Sequence, residues 1–301
     1  MTTLAPPQTE RQVVAAAPIG RRRAGSWVAL APFFLYTAIC LGLPTWALLY
    51  NSVRRTNPTT QQTSFTLANI TTSWHGFYLT ALWGSVKLSL ITALISVIVG
   101  TIAGYAIVTS RGTTVRQIVL SLSGVLANFG GIPLAFCFIA TVGTAGEVVN
   151  LMHTIAPGFA LDTFAGIAVV YPYFLIPLMV LVIVPTLEGL RPQWRESARN
   201  LGASTWQFWR YVGLPVLTPS VLGGFVLTFG GAFAAYATAK ALTGGTVPLI
   251  TLRIASVISG NVLAGQENVG AAMSLNMIVI CGLVMAVYLP LRSRSARWLN
   301  A

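Results

Sequence analysis

The sequence predicts an all-α membrane protein with six transmembrane helices, and three observations carry that reading. Of 301 residues, 55% are hydrophobic and only 8% are charged, against about a quarter charged in soluble globular domains. Mean hydropathy is +0.74. So few charges could not keep an ordinary protein surface solvated, so lipid must be the solvent for much of the chain. Six apolar stretches are long enough to cross a bilayer as helices, which takes about 20 residues each.

The elements follow in order. Residues 1–25 hold Pro6, Pro7 and Arg21 to Arg23 and read as a disordered basic tail. The apolar run over 26–50 is too long for a signal-peptide core and lacks a cleavage site after it, so it stays as the first span. Further spans are predicted at 80–108, 117–141, 163–186, 216–239 and 268–290. Together they define a transmembrane body over 26–291, followed by a basic tail over 292–301. Asn128, Gly130, Gly131 and Pro133 interrupt the third span. Such breaks are tolerated where neighbouring helices or a water-filled cavity satisfy the freed backbone groups. Between spans, residues 51–79 carry Trp74, His75, Phe77 and Tyr78, an aromatic group suited to the membrane interface. The run from Val247 to Ile258 is too short to span, and fits either a partly buried re-entrant piece or an interfacial helix.

The net charge of +12 reflects topology, not nucleic-acid binding, because the basic residues sit in short segments between apolar runs. Thirteen of the eighteen Lys and Arg fall in the two tails, in the 109–116 turn and in the loop over 191–215. Arg54, Arg55, Lys240 and Arg253 lie on the other side. The positive-inside rule then predicts that the N- and C-termini are both cytoplasmic. Lys87 lies inside the second span, where it can snorkel to the interface or serve the pathway.

Several chemistries are excluded. Cys40, Cys137 and Cys281 lie far apart in apolar stretches and read as small buried apolar residues. His75 and His153 sit in connecting segments without HExxH or paired acidic ligands, which argues against a metal enzyme. The acids Glu10, Glu147, Asp162, Glu188, Glu196 and Glu267 lie in tails, loops or span ends. No proton relay crosses the membrane, so an ion-coupled secondary transporter is the weaker reading. No cofactor and no nucleic-acid partner is expected.

The loop over 191–215 carries the functional signal. Pro192 can start a helix, Glu196 is read into its first turn, and Gly202 can cap its C-terminus. Ser204 can cap a second short helix reaching Tyr211, with Pro215 opening the next span. This segment resembles the EAA loop of type I ATP-binding-cassette importer permeases. That pattern is E-A-A, a Gly four residues on, then nine residues and I-x-L-P. Glu196, Ala198, Gly202, Leu214 and Pro215 match it, with Ser197 for the first Ala and Val212 for the Ile.

The resemblance implies a type I importer permease fold whose loop is the coupling helix, seated in a groove of a separate ATPase. It implies further partners: a second permease subunit, generally a different chain, an external solute-binding protein and membrane lipid. No GxxxxGK[ST] phosphate loop is present, consistent with a non-catalytic subunit whose ATP is bound by another chain. The stretches Asn128 to Phe136 and Phe233 to Gly245 are most similar to permeases of the spermidine/putrescine group. Thiamine, ferric-iron and aminoethylphosphonate permeases are close relatives of that group. Asn128, Tyr171, Tyr236 and Asn276 are candidate pathway residues, each of which could equally serve as a hydrogen bond between helices. Gly223, Gly224, Gly230 and Gly231 on the fifth span could face a sibling permease or the chain's own core.

Overall fold

A computed structural model describes residues 23–56, 62–110, 112–143, 146, 154, 158–260 and 268–296. Most of the N-terminal tail, Glu147, His153, Glu267 and residues 297–301 lie outside the described residues. Two compact units are present, Met1–Trp46 and Ala47–Ala301. In the first, the chain is helical from Arg23 and passes through one wide π turn, Ala38–Gly42. Arg23 to Gly25, expected as tail, therefore already belong to a helix. Between Leu30 and Trp46 no side chain is buried, and Phe33, Leu35, Ile39 and Trp46 all point outward.

Five described helices are long and apolar enough to cross a membrane: Leu30–Ser52, Gly76–Thr109, Phe164–Glu188, Thr205–Ala234 and Val269–Ser293. A bent pair, Thr113–Asn128 and Ile132–Val142, at 100° to each other, makes a sixth crossing when counted as one span. The interruption expected at Asn128 to Pro133 within 117–141 falls where the two helices meet. Gly131 takes φ +77°, a left-handed conformation that glycine alone adopts without steric cost. Pro133 then starts the second half, where its missing N–H is harmless.

The fifth span also ends earlier than the expected 239. Ala235 turns extended after Ala234, and Ala237–Thr243 is a separate short helix. The sixth helix, Val269–Ala296, runs past 290 and takes in the start of the expected basic tail. Residues 51–79 add a small departure from an all-helical body. Arg54–Thr56 pairs antiparallel with Thr63–Phe65, and a one-and-a-half-turn helix follows over Ala68–Ser73.

Close packing of the second span holds the second unit together. Its buried face reads Ser85, Ser89, Thr92, Ser96, Gly100, Gly104, a helical stripe of small side chains. Small residues let helix backbones approach closely where no hydrophobic effect drives association. A Cβ on Gly100 would lie 2.7 Å from Cβ of Met179, and one on Gly104 2.6 Å from Cγ2 of Ile183. Fully buried Met179 fills the space between Gly100 and Gly224, joining the second, fourth and fifth spans. Gly224 and Gly231 therefore face the chain's own fourth span, at Met179 and Leu175, and Gly223 faces Tyr288.

The two ends of this unit are tied differently. At the end bearing the 191–215 loop, Arg116 pairs with Glu188, joining the third and fourth spans. At the opposite, hairpin end, the Ile250 N–H donates to Ser85 Oγ at 2.8 Å, docking the helix Ile250–Ile258 against the second span. The Val247 to Ile258 run is thus a partly buried piece, with Ile250, Leu252 and Val257 inside. Asn69 donates to the carbonyls of Ser52 and Arg54, and Asn268 also donates to Arg54. Lys87 is exposed with its Nζ 5.6 Å from the Phe164 ring centre, pointing toward the hairpin end as a snorkelling side chain would.

All three cysteines are exposed, which corrects their expected burial. Apolar packing and lipid are equivalent environments for a small weakly polar side chain. Composition alone could not distinguish them.

Candidate functional site

The loop between the fourth and fifth spans forms from strong local signals. Pro192 opens the helix Pro192–Asn200. At its other end Gly202 has φ +77°. The Ala203 N–H reaches the Ala198 carbonyl at 2.9 Å, and the Gly202 N–H the Arg199 carbonyl at 2.9 Å. This pair of bonds is a Schellman cap, which satisfies carbonyls that the helix end would otherwise leave open. Arg199 in the last turn complements the negative end of the helix dipole.

Ser204 then caps the next helix. Its Oγ accepts from the Gln207 N–H at 3.2 Å, and the Gln207 side chain accepts from the Ser204 N–H at 2.7 Å, a reciprocal capping box. Two expectations are corrected here. Glu196 falls in the second helical turn, not the first, because the helix starts at Pro192. The second helix does not stop at Tyr211: Thr205–Phe208 continues through a π turn, Trp209–Gly213, into the fifth span. Pro215 sits two residues past this π turn and does not break the helix.

Ser204→Ala is expected to remove about 1 kcal/mol of local stability. Backbone hydrogen exchange over 205–208 should rise about fivefold, leaving exchange in the membrane spans unchanged.

Packing leaves this loop strikingly bare for a structured element. The helix Pro192–Asn200 buries none of its residues. Leu201, Trp206 and Tyr211 are 86%, 73% and 74% exposed. An isolated helix of this length is marginal in water, so packing must come from elsewhere. Two hollows flank it. One of about 540 Å³ is lined by Trp194, Ser197, Ala198, Leu201, Tyr211, Val212 and Pro215. The other, about 360 Å³, sets Glu196 among Arg191, Arg195 and Arg199. Of the sequence-predicted loop residues, Ser197, Ala198, Val212 and Pro215 line the first hollow and Glu196 the second. Gly202 shapes the bend between the two helices, and Leu214, half exposed, begins the transmembrane part.

The candidate pathway residues separate into two kinds. Tyr171 is fully buried, and its hydroxyl donates to the Ala235 carbonyl at 3.1 Å, where the fifth span breaks. Asn276 is 5% exposed and donates to Ser73 at 2.8 Å. Both therefore tie elements together. Asn128 is exposed and donates back to Gly124, while Tyr236 is 41% exposed at the fifth-span break.

One residue missed in the sequence completes this centre. Thr238 Oγ1 accepts from the Gly131 N–H at 2.8 Å and lies 3.2 Å from the Gly131 carbonyl. The breaks of the third and fifth spans thus satisfy each other. A Thr inside an Ala-rich run carries no local sign of this; only Gly131, itself a break signal, hinted that a donor was needed.

Broken spans stapled to one another, and a capped, unburied loop between spans, together define a membrane transport subunit that works with a separate partner. The chain belongs to the binding-protein-dependent transport system inner membrane component family, whose model matches residues 96–297. It is therefore a non-catalytic permease subunit of an ATP-binding-cassette importer, and an ion-coupled carrier or an enzyme is excluded.

Among curated relatives, the spermidine/putrescine transport system permease protein PotB of Haemophilus influenzae is 26% identical over 74% of this chain and 78% of its own. PotB of Escherichia coli is 27% identical over 78% of this chain and 84% of its own. The sulfate transport system permease protein CysT of Escherichia coli is 42% identical, but over only 22% of this chain and 24% of its own. A permease chain in the crystal structure of a bacterial alginate transporter, bound to a periplasmic protein carrying an alginate pentasaccharide, aligns with TM-score 0.69. It covers 91% of this chain and 95% of its own at 15% identity, which speaks for the fold alone.

Proposed function

We propose that this permease carries a polyamine across the bacterial inner membrane, and that its 191–215 loop is the surface on which the ATPase acts. The observation that carries the coupling role is the nine-residue helix Pro192–Asn200, capped at its C-terminus and buried nowhere. Structure that is locally specified but unpacked is what a docking element needs. Glu196 serves as the polar anchor, Ala198 allows close approach, and Gly202 makes the bend. Val212, Leu214 and Pro215 connect the loop to the fifth span, with Ser197 beside them.

Both termini and this loop lie in the cytoplasm, in keeping with the distribution of Lys and Arg. A second, different permease subunit completes the pathway beside this chain. A loaded binding protein docks at the hairpin end. ATP binding closes the ATPase, moves the loop and opens the spans outward; hydrolysis resets them. Asn128 and Tyr236, exposed beside the stapled breaks, line the path, while Tyr171 and Asn276 hold its walls.

Polyamine as cargo is supported by the two PotB relatives, which align over most of their length. The assembled importer in lipid vesicles, with its binding protein outside, is expected to accumulate labelled spermidine or putrescine in an ATP-dependent manner. Uptake of sulfate, thiamine, ferric iron or aminoethylphosphonate in its place would overturn the cargo reading and leave the permease role intact.

A further inference from the structure

At the hairpin end, the break after the fifth span and the helix Ile250–Ile258 enclose a small polar pocket of about 220 Å³. Tyr236, Lys240, Arg253, Ser256 and Ser259 line it. The Arg253 guanidinium lies over the Phe77 ring, 3.6 Å from its centre. Stacking holds the planar group by its face and leaves its in-plane N–H donors directed outward. Lys240 Nζ donates to the Gly244 carbonyl at 2.7 Å, which fixes the ammonium at the rim and leaves two further donors.

Neither cation has a carboxylate partner among the described residues, where the one ion pair is Arg116 with Glu188. Among the described residues no acid lines the pocket, and the three hydroxyls can all donate. A pre-oriented guanidinium fork and a nearby ammonium, both without counter-charge among the described residues, match an anionic oxygen group and repel a cation. The volume is below the roughly 300–1,000 Å³ of pockets that take whole drug-sized ligands. It has room for one carboxylate or one small oxyanion.

We propose that the Lys240–Arg253 pocket is an anion-binding site that takes a single carboxylate or tetrahedral oxyanion. It is not a cargo site for a polyamine, which its two cations would repel, although it borders the proposed path at Tyr236. The anion can arrive free in solution or as a side-chain carboxylate of the docked binding protein. Two arms separate these sources.

The assembled importer is placed in lipid nanodiscs as wild type, Arg253→Gln, Arg253→Lys and Lys240→Gln. In the first arm, thermal midpoints are compared in sodium sulfate, phosphate and acetate against chloride at equal ionic strength. Stabilisation of the wild type that is lost in Arg253→Gln, and only partly kept in Arg253→Lys, assigns the site to a free oxyanion. In the second arm, the affinity of the binding protein is measured. A loss of about tenfold in Arg253→Gln, with a shallower salt dependence, assigns the site to a protein carboxylate. If Arg253→Gln fails to assemble, Lys240→Gln, on an exposed side chain, carries both arms. A folded variant that changes neither oxyanion stabilisation nor binding-protein affinity overturns the proposal.

Discussion

Replacing Glu196 with Lys, or Gly202 with Val, is expected to cut substrate uptake at least tenfold while the permease still inserts in the membrane. The two changes act by different routes. Glu196 shares its hollow with Arg191, Arg195 and Arg199, and is the only acid lining it among the described residues. A lysine there would leave that face of the loop uniformly positive and remove the anchor proposed for the ATPase. Gly202 has φ +77°, and a Cβ built on it would meet nothing within 4 Å. Its cost is therefore conformational, about 1–2 kcal/mol for a residue forced left-handed, and more for a β-branched one. Losing the bend swings the Pro192–Asn200 helix away from its seat without disturbing the membrane core. Copurification of the ATPase and ATP-dependent uptake are the measurements. Normal copurification and uptake in both variants would sink the coupling role.

Gly100→Leu should do the reverse, damaging the permease itself before any question of coupling arises. At this position a Cβ alone would sit 2.7 Å from Met179 Cβ and 3.2 Å from the Ile176 carbonyl. Backbone cannot give way as a flexible side-chain end can, so the second and fourth spans must separate. Overpacking of this kind costs about 1–3 kcal/mol and sometimes more. The expected result is a lower thermal midpoint in detergent, a broadened size-exclusion peak and lost uptake. Gly282→Leu is the matched control, because Gly282 is exposed on the sixth span and has nothing within 4 Å. That variant should behave as wild type. Equal damage from both substitutions would show that the interface with Met179 is not what makes Gly100 necessary.

Much of this was legible residue by residue. Apolar run length located the crossings, since spanning depends on a one-dimensional count of residues against a fixed hydrocarbon thickness. Gly202 and Ser204 announced their caps, because capping is decided within four or five residues of chain. The interruption at Asn128 to Pro133 was visible for the same reason. Span ends were less so. Ala235 differs little from the residues before it, and only the Tyr171 hydroxyl waiting at its carbonyl makes that point a stable place to stop.

What the sequence by itself determined is therefore the membrane class, the stretches able to cross and the two caps of the 191–215 loop. All three rest on local quantities: hydropathy over a span, turn chemistry and a short spacing pattern. Only the tertiary structure decided that Gly131 is satisfied by Thr238, 107 residues away. It likewise placed Gly100 and Gly224 on either side of Met179, and brought Arg253 onto Phe77 beside Lys240. In lipid, apolar side chains face outward as readily as inward, so hydrophobic patterning does not mark the interior face. Partners across the bundle are then chosen by hydrogen-bond satisfaction and close fit, which no local stretch of sequence encodes.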